Sequence, residues 1–252
     1  MRSEADQNTA VPAPAWQRAA GLPSGIAPSI WDDPDGVIAR DGVVLKRGAY
    51  HRTTAVVRAE DGDAAVLVKR FHLRDLRERL LWRLRRAAPQ REWRILMRLT
   101  ARAVSVPQPL ALGMRRVAGG IDVWLMVAYI NRACTFDTVH PPRDPRLLAR
   151  GARSLARAIA AVHAADVVHG DLHSGNLLYQ SDRDAWFVTD FQRARSGLPS
   201  RDTLVRDLVQ LQHCLGKKVP LGARLLFLRA YLLEFARLTD TQIGTTGAER
   251  RW

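Results

Sequence analysis

The sequence predicts an α+β fold of two lobes, in which a five-stranded sheet with one key helix precedes a short and mainly helical half. Five runs of apolar and β-branched residues are bounded by turn residues, as is typical of short strands. These runs are residues 37–46, 53–60, 64–71, 110–114 and 121–130. Between the third and fourth runs, and through the second half, apolar residues recur every three or four positions, which indicates amphipathic helices. The change of pattern near Asn131 predicts the junction of the lobes.

Residues 1–30 are rich in alanine, proline and serine without periodicity, so we expect a disordered tail there. Residues 31–130 would then form the first lobe, and residues 131–252 the second lobe of the same domain. A loop at 47–52 and a tight turn at 61–63 connect the first three strands, which predicts a meander.

Two helices are expected between the third and fourth strands. In residues 73–86, four leucines lie on one helical face among arginines, and Pro89 breaks the pattern. The arginines are Arg74, Arg77, Arg79, Arg83, Arg85 and Arg86. Residues 90–101 form the key helix. In the second half, residues 147–165, 203–215 and 221–238 carry the periodicity of amphipathic helices.

The charge of the chain favours an anionic partner. The 252 residues carry a formal net charge of +14, which suits a membrane surface, a phosphorylated glycolipid or nucleic acid. We find no run of 18 apolar residues and no apolar segment of the secretory type at the N-terminus. We therefore expect neither a transmembrane helix nor a secretory signal. The two cysteines, Cys134 and Cys214, lie far apart without metal-ligand spacing, and we expect them to be reduced, which points to the cytoplasm.

One stretch carries the clearest chemical signal. His169-Gly-Asp-Leu-His-Ser-Gly-Asn176 pairs Asp171 with Asn176, and Asp190 follows at the end of a second apolar run. Kinases use an Asp to orient the acceptor hydroxyl and an Asn with a further Asp to hold Mg²⁺. The pattern predicts that Asp171 is the catalytic residue and that Asn176 and Asp190 bind the metal. A polar turn between two strands is the alternative.

A kinase also needs a cation on the nucleotide phosphates and a carboxylate that holds this cation. Lys69 ends the third predicted strand, where that role requires it, and Glu92 lies early in the key helix. Glu78 is the weaker alternative partner because arginines surround it. Without such a partner Lys69 would extend its ammonium group to solvent.

The remaining nucleotide contacts are predicted from position. Gly48 lies in a phosphate-covering loop, 47–52, that has one glycine where protein kinases use several. Adenine would meet the backbone near Ala128 and Ile130 at the lobe junction. His173, two residues past Asp171, would face the γ-phosphate.

Three further residues bear on the catalytic loop. We expect His169 to pack this loop rather than transfer protons. Gly170 occupies the position where regulated protein kinases carry an arginine that pairs with a phosphorylated loop, so we expect constitutive activity. Asp207 would anchor the catalytic loop by accepting from its backbone N–H groups, with an exposed helical Asp as the alternative.

With these residues in hand, the chain resembles the lipopolysaccharide core kinases, the Kdo/heptose kinase family of the protein-kinase-like superfamily. The resemblance covers about residues 43–215. The segments that carry it are Lys69-Arg-Phe71, Arg91-Glu-Trp93, Val106-Pro-Gln-Pro-Leu110, His169–Asn176 and Asp190-Phe-Gln-Arg-Ala-Arg195. Gln192 departs from the glycine of most protein kinases.

The resemblance implies ATP- and Mg²⁺-dependent phosphorylation of a sugar hydroxyl, on heptose or Kdo of the lipopolysaccharide inner core. It places this reaction at the cytoplasmic face of the inner membrane. The basic segment 73–86 would then touch an anionic bilayer, or its leucines would pack on the first lobe.

Three other functions stay open. His-Gly-Asp-Leu-His with a later Asn also occurs in aminoglycoside and choline phosphotransferases, and small RIO-like protein kinases are a further enzyme class. A kinase-like scaffold that binds membrane or nucleic acid is the alternative without catalysis. No recognisable nucleic-acid module supports specific binding of nucleic acid.

Overall fold

The computed structural model describes residues 12–48, 52–59, 64–139, 144–216 and 218–245. The strands of the first lobe are β1 (Ala15–Arg18), β2 (Gly42–Gly48), β3 (Arg52–Arg58), β4 (Ala65–Leu73), β5 (Pro109–Val117) and β6 (Gly120–Ala128). Its helices are α1 (Pro34–Asp41), α2 (Leu76–Arg83) and α3 (Ala88–Ala101). The strands of the second lobe are β7 (Ala133–Thr135), β8 (Val167–Val168), β9 (Leu177–Gln180), β10 (Ala185–Val188) and β11 (Arg195–Ser196). Its helices are α4 (Pro145–Ala164), α5 (Arg201–Leu215) and α6 (Leu221–Thr245).

The sheet of the first lobe is antiparallel, in the order β1-β5-β6-β4-β3-β2. Strand β6 lies inside it, and its successive side chains alternate between two cores, as the period of a strand requires. Trp124 and Met126 join the core beneath α1, whereas Val123 and Leu125 join the core that contains α3. The second core continues into the other lobe and connects the two.

Strand β1 corrects the prediction for the N-terminal segment. Residues 15–18 pair with β5, so the sheet has six strands rather than five. Ile26 and Ile30 are buried as well, and so the described part of the expected tail belongs to the fold. Trp16 explains the docking, because its ring lies over Gly113 and its Nε1 donates to the Trp31 carbonyl at 2.7 Å. A single anchoring tryptophan has no periodicity that a sequence pattern reveals.

Helix α1 corrects the first predicted strand. Val37 and Ile38 read as strand residues, but they lie in a helix whose first position is Pro34. The Asp33 side chain caps this helix by accepting from the Gly36 N–H at 2.9 Å. An Asp followed by Pro is a helix start signal, and it outweighed the β-branched residues after it. The strand therefore begins at Gly42.

Helix α2 is shorter than the predicted 73–86 and has no buried residue. Leu73 ends β4 and is buried, whereas Leu76, Leu80 and Leu84 are 82%, 56% and 54% exposed. Of the two alternatives for this segment, packing of the leucines on the first lobe is therefore confirmed for Leu73 and wrong for the other three.

The second lobe is mainly helical. Helix α4 packs against α6, and Ile159 and Phe227 join the shared core. Two small sheets have the orders β10-β9-β7 and β11-β8. Strands β10 and β8 contact α4, and β11 contacts α3 of the first lobe. Sheet strand β6 ends at Ala128, while the boundary near Asn131 stays a prediction. None of the helices in the described part of the chain combines the length and apolar character of a membrane span.

Candidate active site

A β-hairpin positions the two predicted metal ligands. Strands β9 and β10 are antiparallel, with Leu177 opposite Val188. Asn176 directly precedes β9 and Asp190 lies two residues beyond β10, so both side chains come to the same end of the hairpin. The Thr189 N–H donates to the Asn176 carbonyl at 3.0 Å and closes this end.

Asp171 lies in the loop between β8 and β9. The Asn176 side chain donates from Nδ2 to the Asp171 carbonyl at 2.9 Å, which ties the loop to the hairpin. The Asp171 carboxylate receives two donors at Oδ1, Gln210 Nε2 at 3.2 Å and Arg193 Nη1 at 3.4 Å. Its orientation is therefore set by helix α5 and by the segment after Asp190.

Asp207 of α5 anchors the catalytic loop, as the sequence predicted. Its carboxylate accepts from the backbone N–H groups of His169 at 2.6 Å and Gly170 at 2.9 Å. Burial would raise the pKa of Asp207, but His163 and these two N–H groups outweigh burial and lower it. The aspartate stays ionised in the core and fixes the backbone that carries Asp171.

The His169 imidazole is fully buried and holds the loop together from inside. Its Nδ1 accepts from the Asp171 N–H at 3.3 Å, and its Nε2 lies 2.9 Å from the Thr189 carbonyl. Because a carbonyl only accepts, Nε2 carries the proton. Burial lowers the pKa of His169 and keeps the ring neutral, which suits the predicted packing role.

Lys69 lies on β4, and its ammonium group reaches Glu92 of α3. Nζ is 2.6 Å from Glu92 Oε1 and 3.6 Å from Asp190 Oδ1. Burial would lower the pKa of Lys69, but the two carboxylates outweigh burial and raise it, so the lysine stays charged. Glu78 instead accepts from the Arg74 N–H. The structure therefore pairs Lys69 with Glu92, the preferred partner from the sequence.

Gln192 connects the turn after Asp190 to the first lobe. Its carbonyl accepts from Arg91 Nη1 at 2.8 Å, and its side-chain Oε1 accepts from Arg52 Nη1 at 3.1 Å. Arg91 comes from α3 and Arg52 from the start of β3. The residue that replaces a glycine of other kinases thus holds the turn after Asp190 against two elements of the other lobe.

The structure describes only some of the predicted nucleotide contacts. Gly48 ends β2, and the loop residues 49–51 that follow it lie outside the described residues. The Ala128 N–H already donates to the Gln108 carbonyl at 2.8 Å, so this N–H is not available to adenine. Ile130 is half-buried two residues beyond β6. His173 Nδ1 accepts from the Gly175 N–H at 3.1 Å, which leaves Nε2 as the donor.

The donor set around Asp190 fits Mg²⁺. Asp190 Oδ1 is buried and lacks a hydrogen-bond partner within the described residues, as expected of an oxygen prepared for a cation. The Asn176 amide nitrogen donates to the Asp171 carbonyl, so the side-chain oxygen of Asn176 is the atom left to bind a metal ion. Carboxylate and amide oxygens suit this ion.

Sequence reasoning missed Gln210, Arg193 and the role of Gln192. Gln210 reaches Asp171 from a helix 39 residues further along the chain, and no local spacing signals that contact. Arg193 lies within the segment that carries the resemblance, and its place three residues after Asp190 was the available signal.

Comparisons with known proteins agree with this geometry. A model of the lipopolysaccharide kinase (Kdo/WaaP) family matches residues 36–231. A 3-deoxy-D-manno-octulosonic acid kinase of Xanthomonas oryzae pv. oryzae (strain PXO99A) is 30% identical over 144 residues, 56% of this chain and 55% of the relative. The corresponding kinase of Xanthomonas axonopodis pv. citri (strain 306) is 27% identical over 144 residues. The match spans about half the length of these curated relatives.

A solved structure, WaaP in complex with acyl carrier protein, has a TM-score of 0.59 and 20% identity, and covers 84% of this chain and 88% of that chain. At this identity the likeness shows the fold alone, a two-lobed kinase-like α+β architecture.

Proposed function

The chain belongs to the lipopolysaccharide kinase (Kdo/WaaP) family, and on that premise we propose that it transfers the γ-phosphate of ATP to a sugar hydroxyl. The acceptor is a heptose or Kdo sugar of the lipopolysaccharide inner core. The observation that carries this proposal is the convergence of Lys69, Glu92 and Asp190 in one ion-pair cluster beside the loop of Asp171 and Asn176. A polar turn between two strands would not need this buried cation.

Each residue has a distinct role in the proposed reaction. Asp171 orients the acceptor hydroxyl and accepts its proton, and Gln210 fixes the direction of its carboxylate. Lys69, kept charged by its two carboxylate neighbours, binds the nucleotide phosphates. Asn176 and Asp190 hold Mg²⁺, which supplies charge neutralisation of the phosphates. Gly48, Ala128, Ile130 and His173 stay predictions for nucleotide contacts.

Transfer of labelled γ-phosphate to dephosphorylated core glycolipid tests the proposal. We expect label in the glycolipid with the natural chain and a drop of at least about 10³-fold in kcat for Asp171→Ala, because the variant cannot orient the hydroxyl. Asp182→Ala, an exposed turn residue, is the matched control. If the label appeared on an aminoglycoside, on choline or on protein instead, the chain would belong to one of the other kinase classes. If the chain bound ATP without any phosphate transfer, a scaffold would be favoured.

The location of the reaction is part of the same proposal. Leu76 and Leu80 of α2, together with Leu84 directly after this helix, are exposed among arginines, and such a surface suits the boundary of an anionic bilayer. Each arginine near such a surface contributes about 1 kcal/mol of attraction. Docking by α2 would bring the cleft to acceptors on the cytoplasmic face of the inner membrane.

Vesicle co-sedimentation tests this docking. We expect binding to vesicles that contain phosphatidylglycerol, weaker binding to phosphatidylcholine vesicles, and loss of at least about tenfold in affinity for Leu76→Ser with Leu80→Ser, since each buried leucine contributes about 1.5–3 kcal/mol. Leu198→Ser is the matched control, because Leu198 is 81% exposed but lies outside α2. Equal loss in the control would contradict docking through α2.

A further inference from the structure

Asp190 has a backbone conformation that is uncommon for a residue other than glycine. Its φ is 64° and its ψ is 64°, which is the left-handed region. That conformation is unfavourable for a residue with a Cβ, and it persists where the surrounding contacts hold it in place. The Asp190 side chain does not cap the short helical turn Phe191–Arg193 that follows, so the contacts of this turn must fix its conformation.

Phe191 and Gln192 fix this turn on two sides. Phe191 is fully buried, and its ring centroid lies 4.9 Å from that of His169. The Gln192 carbonyl accepts from Arg91 Nη1 at 2.8 Å, and the Gln192 Oε1 accepts from Arg52 Nη1 at 3.1 Å. The turn is thus attached to the core through Phe191 and to α3 and β3 of the first lobe through Gln192.

The bond to Arg52 reaches the base of the predicted phosphate-covering loop. Arg52 is the first residue of β3 and lies opposite Gly48, the last residue of β2, so it stands where this loop returns to the sheet. Its guanidinium group also lies over the Phe71 ring of β4, 5.7 Å from the ring centroid. Through Arg52, the base of the loop is therefore connected to the turn that carries Asp190.

The chemistry of a glutamine side chain suits this position, because an amide both accepts and donates hydrogen bonds. Its oxygen accepts from Arg52, which leaves the amide nitrogen as a donor. Burial raises the pKa of the Glu92 carboxyl, and Lys69 and the Gln192 side chain oppose this rise. An apolar side chain would provide neither contact, and a glutamate would add a negative charge beside Glu92.

We propose that Gln192 is a positioning residue for the nucleotide site, which holds the Asp190 turn and the base of the phosphate-covering loop in one fixed arrangement. This inference rests on the proposed function, in which Asp190 binds Mg²⁺ and the loop covers the phosphates of ATP. Most protein kinases have a glycine at this position, and a glycine has no side chain that could connect the two lobes. Here the protein makes these bonds itself, and they preorganise the site for the nucleotide.

Calorimetry with a non-hydrolysable ATP analogue and Mg²⁺ tests the effect on the nucleotide. Gln192→Met keeps the length of the side chain without its polar atoms, and Gln17→Met at an exposed position of β1 is the matched control. We expect Gln192→Met to raise the Kd about 5–20-fold, as for a lost hydrogen bond to a charged group, and the control to leave it unchanged.

A double-mutant cycle tests whether the bond to Arg52 carries this effect. Arg52→Met should raise the Kd as well, and adding Gln192→Met to it should change the Kd little further, because both substitutions remove the same bond. An unchanged Kd in Gln192→Met, or effects of the two substitutions that simply multiply, would overturn the inference.

Kinetics separate positioning from a general loss of stability. In the phosphotransfer assay, Gln192→Met should raise the KM for ATP and leave the KM for the acceptor unchanged, since its contacts lie on the nucleotide side. An equal increase in both KM values would speak against a role at the nucleotide.

Hydrogen exchange of the protein without nucleotide keeps this inference apart from the kinase assignment. If the natural chain bound no ATP, the proposed function would fail, and exchange would still report how Gln192 holds its turn. The Ala194 N–H donates to the Phe191 carbonyl at 3.1 Å across this turn. It should exchange about 5–20-fold faster in Gln192→Met than in the natural chain or in Gln17→Met. An unchanged exchange rate at Ala194 would overturn the inference, whether or not ATP binds.

Discussion

Lys69 and Glu92 form a buried ion pair that connects strand β4 to helix α3. Their side chains are 13% and 2% exposed, so water compensates neither charge well. Removing one partner of such a pair costs much more free energy than replacing both by apolar groups. Stability and catalysis therefore respond differently to single and double substitutions.

We predict that Lys69→Met lowers the free energy of unfolding by about 3–5 kcal/mol, because it leaves the Glu92 carboxylate buried without its cation. Lys69→Met with Glu92→Leu should recover most of this stability but no phosphotransfer, since the phosphates still lack their cation. Urea unfolding and the transfer assay measure the two effects. If the double variant proved no more stable than Lys69→Met, an uncompensated Glu92 charge would not be the cause of the lost stability.

Asp207 connects stability to pH. The pKa of its carboxyl lies below the ordinary value of 3.8 in the folded chain. A depressed carboxyl pKa contributes stability that is fully present above the unfolded pKa and is lost as the pH falls through the folded pKa. The catalytic loop should therefore loosen only below about pH 4.

We predict that Asp207→Asn lowers the free energy of unfolding by about 1–3 kcal/mol near pH 7, because the His169 and Gly170 N–H groups lose a charged acceptor. The difference from the natural chain should shrink as the pH falls below about 4. Urea unfolding across this range provides the measurement, and Asp202→Asn at the exposed start of α5 is the control. A pH-independent difference would argue against the ionised acceptor.

Strand β1 includes a close contact between Trp16 and Gly113 of β5. Any Cβ at Gly113 would lie 2.4 Å from the Trp16 ring, whereas a Cβ at Gly151 in helix α4 has no atom within 4 Å. The same substitution should therefore have opposite effects in the two elements.

We predict that Gly113→Ala destabilises the chain, because the added methyl group clashes with the Trp16 ring. The ring must then move, and β1 loses this packing contact with β5. Gly151→Ala should stabilise it by about 0.5–1 kcal/mol, as expected for alanine in a helix interior. Thermal unfolding compares the two variants. Equal shifts in both variants would contradict the role of the tryptophan contact.

At the scale of the whole molecule, one ion-pair cluster joins groups from several elements of both lobes. Lys69 comes from β4, Glu92 from α3 and Asp190 from the end of the β9–β10 hairpin. A ligand that contacts all of them stabilises the folded state by mass action.

We predict that a non-hydrolysable ATP analogue with Mg²⁺ raises the free energy of unfolding by about 2.7 kcal/mol at 100 times its Kd. Asp190→Asn should weaken the part of this gain that depends on Mg²⁺, because one carboxylate ligand is lost. Thermal shift with Mg²⁺ or with EDTA measures this dependence. A gain of the same size in EDTA would contradict a metal at Asp190.

The sequence by itself determined those features that depend on local spacing. Asp171 and Asn176 lie five residues apart, and short strands bounded by turns predicted most of the sheet. The pairing of Lys69 with Glu92 could also be predicted from the sequence, because a charged residue in an apolar strand requires a partner. Asp207 was predicted from its place in a helix after the catalytic loop, and the structure confirms its bonds to that loop.

Only the tertiary structure decided the contacts between residues far apart in the chain. Trp16 docks on β5, Gln210 and Arg193 reach Asp171, and Arg52 and Arg91 hold Gln192. Local patterns report burial and backbone preference, and they carry no information about which distant side chain completes a hydrogen bond. The exposed leucines of α2 show the same limit, because helical periodicity marks an apolar face but does not say whether protein covers it.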